Sequence, residues 1–102
     1  MQHSQHNVGI TRVWFADDSR DGGSELFVET PDRLGILFAV VSTIIAARIK
    51  ILKSEANIAN GLARDWFLVS EADGRPVGAA RRAAVREQVL AAIETWRERG
   101  AA

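Results

Sequence analysis

The sequence predicts a single α+β domain in which four strands and two helices follow in the order ββαββα. Four runs alternate apolar and polar residues with the period of a strand, and two runs repeat apolar residues with the period of a helix. An Asn60-Gly61 pair joins two of the alternating runs. These observations predict a four-stranded antiparallel sheet with both helices on one face.

The first two strands are predicted at residues 10–16 and 25–30. Val13 and Phe15 share one side of the first strand. Residues 17–24 are dense in Asp, Ser and Gly, which favour turns, so we expect a long turn between the strands.

The first helix is predicted at residues 36–47. Its apolar positions recur every three or four residues, as in a largely buried helix; they are Ile36, Leu37, Val40, Val41, Ile44 and Ile45. Asp32 lies four residues ahead of this run, and its carboxylate is a candidate cap for the first turn.

The second hairpin is predicted from strands at residues 49–59 and 62–70. Asn60 and Gly61 lie between them, and both tolerate the positive φ that a two-residue hairpin turn requires. The second helix is predicted at residues 79–99, with an apolar stripe and Gly100 as its stop. The stripe consists of Val85, Val89, Ala92, Ile93 and Trp96.

Strand alternation separates the sheet residues into two faces. The face under the helices is predicted to carry Leu26, Val28, Ala56, Ile58, Phe67 and Val69. The opposite, open face is predicted to carry Trp14, Phe27, Trp66 and Leu68, a patch that a second copy or a neighbouring domain would cover. An error of one residue in strand phase would exchange the two faces.

Composition excludes several classes of function. Thirteen basic residues balance thirteen acidic ones, which disfavours nucleic acid and anionic membranes as partners. Cysteine is absent, and neither a membrane span nor a signal peptide is found, so we expect a cytoplasmic protein. His3 and His6 lie in a predicted flexible tail, residues 1–8. No catalytic set, metal site or cofactor motif is present, so no enzyme activity is expected of this chain.

Three blocks of sequence carry a resemblance to a known family. They are Val28 to Leu37, Ile51 to Ile58, and Ala63 to Val69 followed by Asp73-Gly74-Arg75-Pro76. With the ββαββα order, they resemble the ACT domain, a ferredoxin-like fold, and specifically the type at the C-terminus of the PII uridylyltransferase/uridylyl-removing enzyme. The resemblance spans about residues 10–98 and implies one ACT domain at 9–99, in which the N-terminal strand replaces the usual last strand.

Two departures from the family pattern affect the predicted site. Leu34 stands where the family usually has Pro, although Gly35 is kept. The turn between the last two strands is shortened to Asn60-Gly61, which puts any ligand contact through that turn in doubt.

The resemblance implies that a small amino acid, glutamine first, binds between two ACT units of a homodimer or of neighbouring domains. The candidate ligand-binding residues are Asp32, Arg33, Leu34, Gly35, Ile36 and Leu37 in the turn, and Glu55 and Asn57 on a strand. Gly35 would let the ligand approach, and the N–H groups of Ile36 and Leu37 would meet its carboxylate.

Several of these residues also have simpler explanations. Asp32 either forms an ion pair with the ligand ammonium or caps the helix. Arg33 either binds the ligand carboxylate or forms a salt bridge with Asp32 or Glu29. Solvation explains Glu55 and Asn57 equally well. Asp65 occupies a core-facing position, where we expect it to accept hydrogen bonds from the backbone.

Two other functions compete with amino-acid sensing. One is an interaction module that dimerises and binds no metabolite. The other is an RNA-binding sheet in which Trp14, Phe27 and Trp66 stack on bases, which the neutral charge disfavours.

Overall fold

The computed structural model describes residues 10–20 and 22–101, so the predicted tail at residues 1–8 lies outside the described part of the chain. The elements are β1 (Arg12–Arg20), β2 (Gly23–Pro31), α1 (Ile36–Ala46), β3 (Lys50–Ala59), β4 (Leu62–Ser70) and α2 (Ala79–Ala101). The predicted ββαββα order is therefore confirmed.

The four strands form one sheet in the order β1-β2-β4-β3, and every neighbouring pair is antiparallel. The two central strands pair without interruption, with Leu26 opposite Phe67 and Val28 opposite Asp65. Because paired residues share a face, this register fixes which side chains lie together. An α+β architecture of four antiparallel strands and two helices, compatible with a ferredoxin-like fold, is thus established.

The two hairpins differ in how well the sequence predicts them. Asn60 and Gly61 have φ of 55° and 77°, as the predicted turn between β3 and β4 requires. The predicted long turn at residues 17–24 is wrong, because β1 continues to Arg20 and β2 begins at Gly23. A register irregularity between Phe15 and Ser19 lets turn-forming residues remain in strand pairing.

Both helices pack on the same face of the sheet. One core cluster unites buried residues of that face with those of both helices; they include Val13, Leu26, Val28, Phe67 and Val69 from strands, Ile36, Val40 and Ile44 from α1, and Val85, Val89 and Ile93 from α2. The predicted strand phase is therefore right for β1, β2 and β4. The sheet face opposite this core is the open face.

The predicted core positions on β3 are wrong. Ala56 and Ile58 lie on the helix-facing side, opposite Asp65 and Ala63, but both are exposed, with Ile58 at 64% of its full accessibility. The helices leave both side chains uncovered, so the helix-facing side of this half of β3 meets solvent. Alternation identifies the face correctly but carries no information on what covers it.

The outer edge of β1, by contrast, is held by α2. Arg86 donates from Nε to the carbonyl oxygen of Val13 at 2.8 Å, and Arg82 donates from Nη1 to that of Ala16 at 3.3 Å. Side-chain donors thus occupy carbonyl groups of β1 that a further strand would otherwise use.

The second helix is longer than predicted. It continues through Gly100 to Ala101, so Gly100 is not the helix stop that the sequence suggests. Across the described residues, neither helix has the length and apolar character needed to cross a membrane.

Candidate functional site

The turn between β2 and α1 contains the predicted ligand residues 32–37, and its shape depends on Gly35. This residue is the N-cap of α1 and has φ 83° and ψ 0°, in the left-handed region that favours glycine. A Cβ at this position would lie 3.1 Å from Cε2 of Trp96 and closer still to Cζ2. Position 35 therefore requires glycine for two reasons: its backbone has positive φ, and the indole ring of Trp96 occupies the space that a Cβ would need.

Two side chains fasten the turn to α2. Trp96 donates from Nε1 to the carbonyl oxygen of Leu34 at 2.8 Å, and Arg33 donates from Nη1 to that of Arg97 at 2.9 Å. Neither sequence interpretation of Arg33 describes this contact. Glu29 instead pairs with arginines on the adjacent strands. Arg33 thus holds the site together by bonding a carbonyl near the end of α2.

The prediction that Asp32 caps α1 is wrong. The helix begins at Ile36, and a cap must stand immediately before the first helical residue. That position is Gly35, which has no side chain to cap the helix, whereas Asp32 lies too far ahead of it. Asp32 instead donates its backbone N–H to the carbonyl oxygen of Gly61 at 2.8 Å, and its side chain is exposed. This bond fixes the turn against the β3–β4 hairpin.

The first turn of α1 retains free donors. The N–H of Ile36 donates to the carbonyl oxygen of Arg33 at 3.0 Å, so it is already used within the turn. Among the described residues no acceptor is found for the N–H groups of Leu37 and Phe38. These groups lie at the positive end of the helix dipole, where an anionic group is favoured.

Asp65 is the least expected residue of the site. It projects from β4 to the helix-facing side, is 5% exposed, and its Oδ2 has no hydrogen-bond partner within the described residues. The expected backbone bonds to Oδ2 are absent, because β4 is a central strand paired on both sides with β2 and β3. A buried carboxyl oxygen without a hydrogen-bond partner destabilises the fold unless another group supplies the missing bond.

Burial, and then the negative charge of Asp32, raise the pKa of Asp65 from 3.8 to about 6. In the folded protein Asp65 therefore keeps its proton at pH values where Asp65 of the unfolded chain has lost it. The free energy of unfolding falls as pH rises from about 4 to about 6, and the whole of this loss is present at pH 7. Because the charge of Asp32 adds to the effect of burial on the Asp65 pKa, the surroundings of Asp65 are electronegative and favour a cation.

A groove of about 520 Å³ lies beside the turn, lined by Arg33, Leu34, Trp96 and Arg99. The helical period predicts that Trp96 belongs to the core stripe, and no sequence pattern predicts a role for Arg99. The helical period does indicate that Trp96 faces inward, but it cannot show that the ring meets the turn. Leu34, at 97% exposure, stands fully in solvent at the groove margin.

The structure does not bring Glu55 and Asn57 to the turn. They pair with Trp66 and Arg64, so they lie on the open face, whereas Asp65 and the turn lie on the helix side. Both are exposed residues of the edge strand β3. Within one chain, solvation is therefore the better account of these two residues.

The four predicted interface residues share the open face but expose less apolar surface than expected. Trp14 stacks on Phe27 with ring centroids 5.2 Å apart and planes at 11°. Trp66 donates from Nε1 to Oε2 of Glu25 at 2.8 Å. Leu68 is only 2% exposed, whereas Trp14 retains 38% of its accessibility. Trp14 and Phe27 stack on each other and Trp66 is hydrogen-bonded to Glu25, which weakens the case for stacking of RNA bases on these rings.

No model of a known protein family matches this chain, and no solved structure gives a significant match. The described residues contain no group of three or more His, Cys, Asp or Glu side chains placed to hold a metal ion.

Proposed function

We propose that this chain is a regulatory ACT domain that binds a small α-amino acid, with glutamine as the first candidate, at the turn between β2 and α1. The observation that carries the proposal is the buried, unpartnered Oδ2 of Asp65 beside Asp32. The sequence resemblance supplies the ligand class, and the charges around the turn supply the physical support.

An α-amino acid carries a carboxylate and an ammonium group on one carbon, and the turn offers a partner for each. The free N–H groups of Leu37 and Phe38 suit the carboxylate. The exposed Asp32 suits the ammonium directly. Asp65 would have to turn its buried Oδ2 toward the ligand, and the ammonium would then supply the missing hydrogen bond and offset the repulsion between the two carboxylates. A simple anion or a simple cation would satisfy only half of this arrangement.

The other turn residues act as the frame of the site. Arg33 and Leu34 are tied to α2, and Gly35 leaves the space that Trp96 fills. Selectivity for the side chain of the amino-acid ligand would come from a pocket that this domain shares with a second copy or with a neighbouring domain. As a regulator of a uridylyltransferase-like cytoplasmic enzyme, the domain would bind the amino acid more tightly in one arrangement of the pair than in the other, because equal binding shifts no equilibrium.

Calorimetric titration with glutamine, and then with the other amino acids, tests the proposal. We expect saturable binding at pH 7 that weakens below pH 6, where Asp65 becomes protonated. N-acetylglutamine, which lacks the ammonium group, should not bind.

Two variants identify the groups that bind. Asp65→Asn should weaken binding by about tenfold or more, since a charge-assisted bond contributes roughly 1.5–3 kcal/mol. Asp73→Asn is the matched control, because Asp73 is an exposed carboxylate in the turn after β4. The proposal fails if no amino acid gives saturable heat, or if Asp65→Asn and Asp73→Asn bind equally well.

A second candidate function is an interaction module without a metabolite. Exposed apolar side chains on and before α1 favour it; they are Leu34, Leu37, Phe38 and Ile45. Leu37 and Ile45 are eight residues apart and share one side of α1, and exposed apolar residues on one side of a helix indicate a partner surface. A chain that associates but binds no amino acid would support this function instead.

A further inference from the structure

We propose that the groove beside the C-terminal part of α2 binds a small phosphate monoester that carries a planar ring. Four residues line this groove: Arg33, Leu34, Trp96 and Arg99. The inference goes beyond the proposed function and does not rest on it, because this ligand needs no ammonium group and contacts side chains in place of the N–H groups at the start of α1.

The groove has the size and composition of a small-molecule site. Its volume is about 520 Å³, and ligand pockets occupy about 300–1,000 Å³. Its walls combine an indole ring and a leucine side chain with two guanidinium groups, and the lining residues that the structure describes include no acid. Asp32 and Glu98, the acidic chain neighbours of the two arginines, are exposed and do not line it. An anionic ligand with an apolar body fits such a lining.

Both guanidinium groups have N–H donors to spare. Arg33 donates from Nη1 to the carbonyl oxygen of Arg97 at 2.9 Å, which holds the group in place, and its other N–H groups have no acceptor among the described residues. Within the same part of the chain, Arg99 has neither a hydrogen bond nor an ion pair. The helix dipole accounts for a basic residue in the last turn of α2, but it does not account for Arg33, which comes to the same groove from another element.

Two cations without a facing carboxylate select a doubly charged anion. One arginine fork satisfies a carboxylate, whereas a phosphate monoester carries a charge of about −1.5 to −2 at pH 7 and three acceptor oxygens. The planar fork of arginine matches the geometry of such oxygens and binds them in pairs. Arg33 and Arg99 together therefore suit a phosphate monoester better than the single carboxylate of an amino acid.

Trp96 supplies a fixed ring for the rest of the ligand. Atoms of its six-membered ring pack on Gly35, and its Nε1 donates to the carbonyl oxygen of Leu34 at 2.8 Å, so the indole is held in one orientation. The side chain is still partly exposed, and it lines both this groove and the adjoining one between the helices. A planar ring of the ligand would stack on the indole and bury part of the exposed Leu34 side chain.

A second groove contains similar residues whose cations are already engaged. Its volume is about 420 Å³, and Arg12, Trp14 and Arg86 form part of its lining. Nε of Arg12 lies 4.0 Å from Oε1 of Glu29, and Nη1 of Arg86 lies 3.3 Å from Oε2 of Glu87. Carboxylates thus face both of these arginines, so phosphate binding is assigned to the first groove and this second groove serves as its control.

Nuclear magnetic resonance of the whole chain, without amino acid, tests the site. The chain has three tryptophans, and comparison with Trp14→Phe and Trp66→Phe assigns the indole N–H signal of Trp96. The probes are phenyl phosphate and adenosine 5′-monophosphate, whose relative affinities distinguish a simple aryl phosphate from a nucleotide. We expect at least one probe to shift the Trp96 signal saturably, with a Kd of about 1 mM or below, and to leave the Trp14 signal in place. Inorganic phosphate should bind several-fold more weakly, because it forfeits the contact with the ring.

A pair of variants identifies the charge that binds. Arg99→Gln should weaken binding of the better probe by about tenfold or more, which corresponds to about 1.4 kcal/mol. Arg99 is exposed, so the variant should keep the circular dichroism of the parent. Arg12→Gln, in the second groove, is the matched control and should bind the probe as the parent does.

Four results would each overturn the proposal. The first is saturation by neither probe, and the second is inorganic phosphate that binds as tightly as both. The third is a shift of the Trp14 signal in place of the Trp96 signal, which would move the site to the second groove. The fourth is equal affinity of Arg99→Gln and Arg12→Gln for the better probe.

Discussion

Replacing Gly35 with alanine should destabilise the fold more than any comparable change at another left-handed glycine. An L-residue at φ 83° costs about 1–2 kcal/mol on backbone grounds alone. The added Cβ would also overlap the Trp96 ring, and displacing that ring breaks its hydrogen bond to Leu34. The lost bond costs about 1 kcal/mol, and overpacking adds about 1–3 kcal/mol.

Gly61→Ala is the matched control for this prediction. Gly61 has φ 77°, close to that of Gly35, but a Cβ added to Gly61 would meet no atom within 4 Å. Only the backbone cost of about 1–2 kcal/mol then applies. The excess cost of Gly35→Ala, at least about 2 kcal/mol from the lost bond and the overpacking, measures the contact with Trp96.

Urea unfolding followed by far-ultraviolet circular dichroism provides the assay. With a slope of about 2 kcal/mol/M, the excess corresponds to a midpoint about 1 M below that of Gly61→Ala. In a Trp96→Leu background the excess should shrink, because the ring that causes the overlap is gone. Equal midpoints for Gly35→Ala and Gly61→Ala would refute the packing of Trp96 on this turn.

Three further predictions concern buried groups. Asp65→Asn should raise the free energy of unfolding at pH 7 by about 1–3 kcal/mol, and this free energy should then fall less between pH 4 and 6 than in the parent chain. An unchanged pH dependence of urea unfolding would contradict the raised pKa of Asp65. Ser24→Ala should cost about 1–3 kcal/mol, because Ser24 Oγ accepts the buried N–H of Val77 at 3.0 Å, and a cost near zero in thermal unfolding would count against that bond. Val28→Ala should cost about 2 kcal/mol or more, whereas Ile58→Ala in the monomer should cost little; equal losses would mean that β3 is covered after all.

The local features of the fold are readable from the sequence. Strand and helix periods give the element order, and the faces of β1, β2 and β4 agree with the predicted alternation. Asn60-Gly61 predicts its own turn, because few residue pairs adopt positive φ at two successive positions. Each of these properties depends on residues within a few positions of one another.

The candidate site is only partly readable. The sequence assigns Gly35 to the turn, but its contact with Trp96 joins residues 61 positions apart, and no local pattern reports such a distance. The expected capping of α1 by Asp32 fails, because the helix begins one residue after Gly35 and has no side-chain cap. Asp65 is correctly placed on the core-facing side, yet its lack of a partner for Oδ2 depends on every element around it.

By itself the sequence determined which residues alternate, that Asn60-Gly61 forms a tight turn, and which face each strand presents, because these follow from backbone geometry over short stretches. Only the tertiary structure decided what covers each face. It left Ile58 and the second half of β3 in solvent, buried Asp65 without a partner for Oδ2, and set Trp96 against Gly35. Burial depends on contacts between elements from distant parts of the chain, so no short stretch of sequence determines it.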